Sequence, residues 1–170
     1  MNIYELIEKR RSVRSFRDDP ITDETLNNIL NAGRMAPSAQ NAQEYKFVIV
    51  KEKGTVKTLA NASNQRFIAE APIVIAFVSL NPKVNMINDV PSYPVDLAIA
   101  IDHITLSAVE EGLGTCWITS FSQEQVKEIL NIGDKYKVVA LMPLGVPYDD
   151  PQVKSRKKLK DLVCEETFSE

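Results

Sequence analysis

Hydrophobic positions along this chain alternate between helical spacing and short apolar runs, and the changes mark its elements. Ile3, Leu6 and Ile7 recur at three and four and end on Arg10, which predicts a short opening helix with one apolar stripe. Thr22 can cap a second helix with Leu26, Ile29 and Leu30 inward and Asp23 and Glu24 in its first turn, where the macrodipole favours acids. Gly33 and Pro37 close it, and the small polar stretch PSAQNAQ that follows predicts a loop. Tyr45 to Val50 reads as a strand, Thr55 to Ala62 as a short helix, and Ile73 to Ser79 as a continuously apolar, central strand.

Residues 81 to 94 carry Pro82, Pro91 and Pro94 among asparagines and predict a loop able to act as a lid. From Val95 to Glu111 apolar residues fall on most faces, so the pattern predicts a helix buried nearly all round, with Gly112 at its end. Gly114 to Thr119 predicts a third strand. Ser122 and Gln125 form a capping box for a helix with Val126, Ile129 and Leu130 inward. Val138 to Val146, interrupted by Pro143, gives a fourth strand, and from Pro147 onward the chain is extended and polar until Leu159, Leu162 and Val163. Helices and strands alternate without a strict βαβ rhythm, so the expected class is α+β with a mixed sheet. The tail has too few apolar residues to fold alone and is expected to pack on another surface.

Length and charge narrow the function. The chain has 170 residues, enough for one domain and its core. Twenty Lys and Arg against 23 Asp and Glu give a net charge of -3, which argues against nucleic acid as the main ligand. Half of the cations nevertheless sit in two short runs: Lys9, Arg10, Arg11, Arg14 and Arg17, then Lys154, Arg156, Lys157, Lys158 and Lys160. One histidine, His103, and two cysteines, Cys116 and Cys164, leave no disulfide framework and no metal-ligand spacing. Charges interrupt the N-terminal apolar residues and the longest apolar run is short, so neither a signal peptide nor a membrane span is expected, and the compartment is expected to be cytoplasmic.

Each candidate has a plainer reading beside it. Arg10, Arg11, Ser12 and Arg14 can converge on one anion through guanidinium forks and a hydroxyl, or they can answer a helix C-terminus. Lys154 and Arg156 alternate on extended backbone and can reach the same anion, or stay solvated. Gly112-Leu113-Gly114 fails as a dinucleotide loop, because it follows a helix and precedes a strand and lacks the third glycine. His103, Asp96 and Asp102 read as structural groups of the long helix, Trp117 as a core aromatic or a ligand-side ring, and Cys116 as packing.

Taken in order, RRSVRSF at 10 to 16, PSAQNAQEYKFVIV at 37 to 50, NQRFIAEAP at 64 to 72, GLGTCWI at 112 to 118, MPLGVP at 142 to 147 and KSRKKLKDLV at 154 to 163 resemble the FMN-dependent nitroreductase family. The resemblance implies a single FMN-binding domain over 1 to 170, with an extended C-terminal tail from about 147, in an intertwined homodimer with FMN bound noncovalently at the subunit interface. It implies Arg10, Ser12, Lys154 and Arg156, with Arg11, as phosphate ligands, and Arg14 as a cation beside the flavin edge that gains negative charge on reduction. Pro37, Ser38, Ala39 and Asn41 would reach the flavin from the partner subunit, and Asn64 or Gln65 its polar edge. Ile118, Thr119 and Ser120 would run beside the ring, and Gly145 would allow close backbone approach. The family often has Pro-Trp after the asparagine-glutamine pair, whereas here Glu44-Tyr45 follows Gln43.

The implied activity is an NADH- or NADPH-dependent oxidoreductase reducing nitroaromatics, quinones or similar small acceptors in a ping-pong cycle, with no catalytic side chain beyond the flavin, no metal, no nucleic acid and no membrane. The alternatives are a specialised flavin enzyme on the same fold (a dehalogenase, a flavin destructase or a heterocycle dehydrogenase) and a non-catalytic FMN-binding module.

Overall fold

A computed structural model describes residues 1–169. In chain order the elements are α1 (Ile3–Lys9), α2 (Asp23–Arg34), β1 (Tyr45–Val50), α3 (Lys53–Ala62), β2 (Ile73–Ser79), α4 (Ser92–Glu110), β3 (Gly114–Thr115), α5 (Gln123–Ile129) and β4 (Lys137–Gly145). The helix starts follow the sequence: Thr22 accepts from the Thr25 N–H at 3.1 Å, Ser122 from the Gln125 N–H at 3.3 Å, and Glu52 from the N–H groups of Gly54 and Thr55.

The sheet runs β1-β2-β4-β3, and all of these strands pair antiparallel. The α+β class is as expected, but a mixed sheet is not what forms. Parallel pairing is confined, among the described residues, to an isolated bridge between Ser12 and Thr115. The cause lies in the β1 to β2 connection: α3 packs back on the 3₁₀ turn Arg66–Glu70, so the chain re-enters the sheet where it left and runs back beside β1.

β2 explains the layering. All seven of its residues are buried. Ile73, Ile75 and Phe77 pack with Leu26 and Ile29 of α2 and with Leu97, Ile101 and Ile104 of α4. Val74, Ala76 and Val78 pack with Val56 and Leu59 of α3 and Val126 of α5. A strand covered on both faces calls for apolar side chains, here from Ile73 to Val78 with Ser79 as the polar end, and burying each Val, Ile or Phe contributes roughly 1.5–3 kcal/mol.

Three expectations change. The third strand stops at Thr115 and resumes only as a bridge between Ile118 and Leu141. Counting inward from Thr115↔Leu144 and Ile118↔Leu141 sets Cys116 opposite Pro143, which has no N–H to donate, so the ladder breaks at that rung. The long helix starts at Ser92 and is buried along one side; Val95 on the other side is 39% exposed and Ile99, Leu106 and Val109 are half-buried. Gly33 lies inside α2 rather than ending it, with Ile104 of α4 packed where a Cβ would stand. Ile3, Tyr4 and Ile7 of α1, and Leu159, Leu162 and Phe168 of the tail, are all more than half exposed.

Candidate functional site

The two cationic runs are brought together by main-chain zippering. The Val13 N–H donates to the Thr115 carbonyl (2.9 Å), the Arg17 N–H to Val146 (2.9 Å), and the Tyr148 N–H to Ser15 (3.0 Å). The turn carrying Arg10, Ser12 and Arg14 is thereby fixed along β3 and the end of β4, beside the root of the tail. Gly114 makes the fit possible: a Cβ there would stand 2.5 Å from Val13 Cγ2 and 3.0 Å from Pro147 Cγ.

Between turn and tail opens a cleft of about 830 Å³ lined by Arg10, Arg11, Ser12, Arg14, Lys154 and Arg156. Glu8 stands on the same wall. Among the described residues none of the five cations forms an ion pair. Their donors reach only nearby carbonyls: Arg11 those of Glu8 and Arg10, Arg14 that of Ser12 at 3.3 Å, and Arg156 those of Lys154 and Ser155 at 3.3 and 3.2 Å. The Nε of Arg11 is buried with no partner. Five cations with unspent donors, one of them buried, and a hydroxyl suit a small dianion such as a phosphomonoester.

The surroundings of Cys116 show the same convergence. Burial pushes its thiol up, while Arg14, Lys154 and Arg10 act against that shift, so cations from both ends of the chain reach one buried point. The Cys116 side chain is packed at 2% exposure, as its place in the sequence implies.

The other expected residues lie elsewhere. The loop Pro37, Ser38, Ala39 and Asn41 does not line the cationic cleft of its own chain. Gln40, Asn41 and Gln43 there have φ of 52°, 56° and 52°, the left-handed region that non-glycine residues enter at a cost of roughly 1 kcal/mol or more each. The loop is held by the Gln43 N–H on Ser38 Oγ (3.1 Å) and the Ala39 N–H on Asp96 Oδ1 (2.9 Å). Asn64, also left-handed at 52°, is exposed at the end of α3, and Gln65 is half-buried. Ile118 is buried, while Thr119 and Ser120 are exposed. At Gly145 the space a side chain would take is filled by Pro72 and Phe16, which stand 2.8 and 3.0 Å from a built Cβ. Its bareness therefore serves packing.

Two residues of weight were missed or underread. Asp96 is 8% exposed and anchors the loop, a wider role than that of a structural group within its own helix. The signal was its phase: Asp96 precedes Ala100 and Ile104 at intervals of four along the buried side of α4. Tyr45 has a buried, partnerless hydroxyl and a pKa raised first by burial and then by the Asp96 charge. Trp117 is 38% exposed with its Nε1 bonded to Thr105 Oγ1 at 3.0 Å, so it is only partly core. Among the described residues no helix is long and apolar enough to cross a membrane, and no His, Cys, Asp and Glu group could hold a metal ion.

A family model described as the nitroreductase family matches residues 7–67 and 56–146. A relative from Archaeoglobus fulgidus, named a putative NADH dehydrogenase/NAD(P)H nitroreductase, is 29% identical over 85% of each chain. Among solved structures, a nitroreductase family protein from Clostridium novyi NT is 37% identical, covering 91% of this chain and 89% of that one with a TM-score of 0.84. An NADPH:FMN oxidoreductase from Vibrio harveyi, complexed with NAD+, is 31% identical over 98% of this chain and 78% of that one, with a TM-score of 0.89.

Proposed function

We propose that this chain, which belongs to the nitroreductase family, is an FMN-dependent oxidoreductase that takes reducing equivalents from NADH or NADPH and passes them to nitroaromatic, quinone or similar small acceptors in a ping-pong cycle. The observation that carries the reading is the cleft of unpaired cations drawn from both ends of the chain. The names of the Archaeoglobus and Vibrio relatives support the nicotinamide reductant and the flavin.

FMN, when bound, supplies the hydride chemistry that no side chain here can perform. The chain's own residues bind, orient and polarise. Arg10, Ser12, Lys154 and Arg156 hold the phosphate, with Arg11 offering its unpartnered Nε. Arg14, exposed and restrained only by the Ser12 carbonyl, is the cation available to stabilise negative charge that develops on the flavin. Asn64 or Gln65, and the exposed Thr119 and Ser120, are assigned to the ring's polar edge.

The protein acts as an intertwined homodimer. Uncovered apolar residues on α1, on the outer side of α4 and along the tail support this, since such surface in one chain is what a second copy buries. The strained Pro37–Asn41 loop, remote from its own cleft, is then the segment that serves the partner's flavin. The compartment assigned is cytoplasmic.

The test is direct. Purified protein loaded with FMN should show the visible flavin bands, lose them on anaerobic addition of NADH or NADPH, and regain them with an acceptor. Protein that cannot be loaded overturns the reading; loaded protein that neither nucleotide bleaches reduces it to FMN binding without turnover.

A further inference from the structure

A second cavity, of about 730 Å³, opens between residues 81–93, the loop 39–44 and the start of α4. Much of its wall is apolar, from residues such as Val84, Met86 and Ile87. Its charged lining consists of Glu44 and Asp96, and no lysine or arginine lines it. Asp96, 8% exposed, accepts the Ala39 N–H on Oδ1, and its second oxygen accepts no hydrogen bond among the described residues. Glu44 Oε1 accepts from the Asn81 Nδ2–H at 3.1 Å, and Glu44 forms no ion pair among the described residues. Tyr45, whose buried hydroxyl has no partner among the described residues, also lines this cavity. The Nζ of Lys137 stands 5.9 Å from the ring centre of Tyr93, and Lys137 itself is not among the lining residues.

A nearly buried carboxylate without a counter-ion is costly, and an apolar cavity that presents one has a chemical preference. We propose that this cavity binds the electron acceptor and selects flat, apolar molecules with a cationic end, a primary ammonium or an amidinium, received by Asp96 and Glu44. The proposal rests on the reductase reading, because Ala39 and Gln40 of the loop assigned to the flavin form part of the wall. It adds a substrate class: the cofactor cleft selects an anion, and the acceptor pocket selects a cation.

Three probes share a nitrobenzene ring and differ in charge: 4-nitrobenzylamine, an ammonium at neutral pH, neutral 4-nitrobenzyl alcohol, and anionic 4-nitrobenzoate. Calorimetry on the oxidised, FMN-loaded protein should give the ammonium at least about tenfold tighter binding than the benzoate, with the alcohol between, and kcat/KM with NADH should follow the same order. Asp96→Asn and Glu44→Gln should each shrink the cation-to-anion ratio severalfold. Should Asp96→Asn fold poorly, Glu44→Gln, at an exposed position, decides. Equal binding of ammonium and benzoate, or a ratio untouched by Glu44→Gln, overturns the proposal. Charge preference in binding without turnover of any probe, in protein whose flavin NADH still bleaches, overturns the cavity's role as acceptor site and leaves the reductase reading standing; failure of NADH and NADPH to bleach the flavin overturns the reductase reading itself.

Discussion

Replacing Gly114 with alanine should damage cofactor binding without touching a cation. The added methyl would stand 2.5 Å from Val13 Cγ2, 2.9 Å from Val13 Cβ and 3.0 Å from Pro147 Cγ. Carbon atoms sit comfortably at roughly 3.5–4.0 Å, so at least one neighbour must move by about 1 Å. Neither yields readily: Val13 is β-branched and 3% exposed, and Pro147 is a ring tied to Phe16 by a strand bridge. Overpacking of this kind costs about 1–3 kcal/mol. At roughly 2–4 °C per kcal/mol for a chain of this size, the melting temperature should fall by about 2–12 °C. Val13 carries the arginine-serine turn and Pro147 the root of the tail, so the strain also spreads the cleft, and FMN affinity should fall with stability. Thermal unfolding with and without FMN, followed by a flavin fluorescence titration, measures both. An unchanged melting temperature together with unchanged affinity would falsify the account of how the two ends are joined.

Other tests follow from the same structure. Lys154→Ala with Arg156→Ala removes two cations that, being exposed, are worth roughly 1 kcal/mol each, about thirtyfold in FMN dissociation constant together; Lys157→Ala with Lys160→Ala, which line no part of the cleft, should cost little, and equal losses would mean that only net charge matters. Glu52 caps α3, and hydrogen bonds from Gly54 and Thr55 hold its carboxyl below the ordinary 4.5, so its contribution is present above that value and lost as pH falls through the lower folded one. Glu52→Ala should therefore lower the melting temperature at pH 7 and match the parent in strong acid; a penalty that persists there points to lost packing instead. With limiting iodoacetamide at pH 7.5, Cys164, exposed and lowered by the Ser169 hydroxyl and N–H, should be alkylated well before Cys116, which burial raises. Peptide mapping that finds Cys116 modified first would contradict its placement.

Much of the fold was legible because it rests on local rules. The Thr22 and Ser122 caps and the uninterrupted apolar run of β2 each carry their signal within a few residues. Strand direction was not legible, since it depends on α3 folding back over the 3₁₀ turn at Arg66–Glu70, a tertiary event. The truncation of β3 was written in Pro143, but only once pairing had set that ring opposite Cys116. At the site, the sequence suggested that two cationic runs could share one anion, but their meeting depends on topology, on contacts such as the Tyr148 N–H to the Ser15 carbonyl. At Gly145 the fit of Phe16 and Pro72 against bare backbone is a tertiary fact that no local rule displays.

The zippered ends also bear on the order of folding. Arg10 and Lys154 are more than 140 residues apart in sequence, so closing the cleft between them is among the most non-local events available to the chain, and its entropy must be met before any contact there is gained. The sheet and its helices can form with the cleft still open, and an anion held from both sides has high affinity only for the closed state. Saturating cofactor should then slow unfolding of the tail more than that of β2, acting as a latch on the last step of assembly.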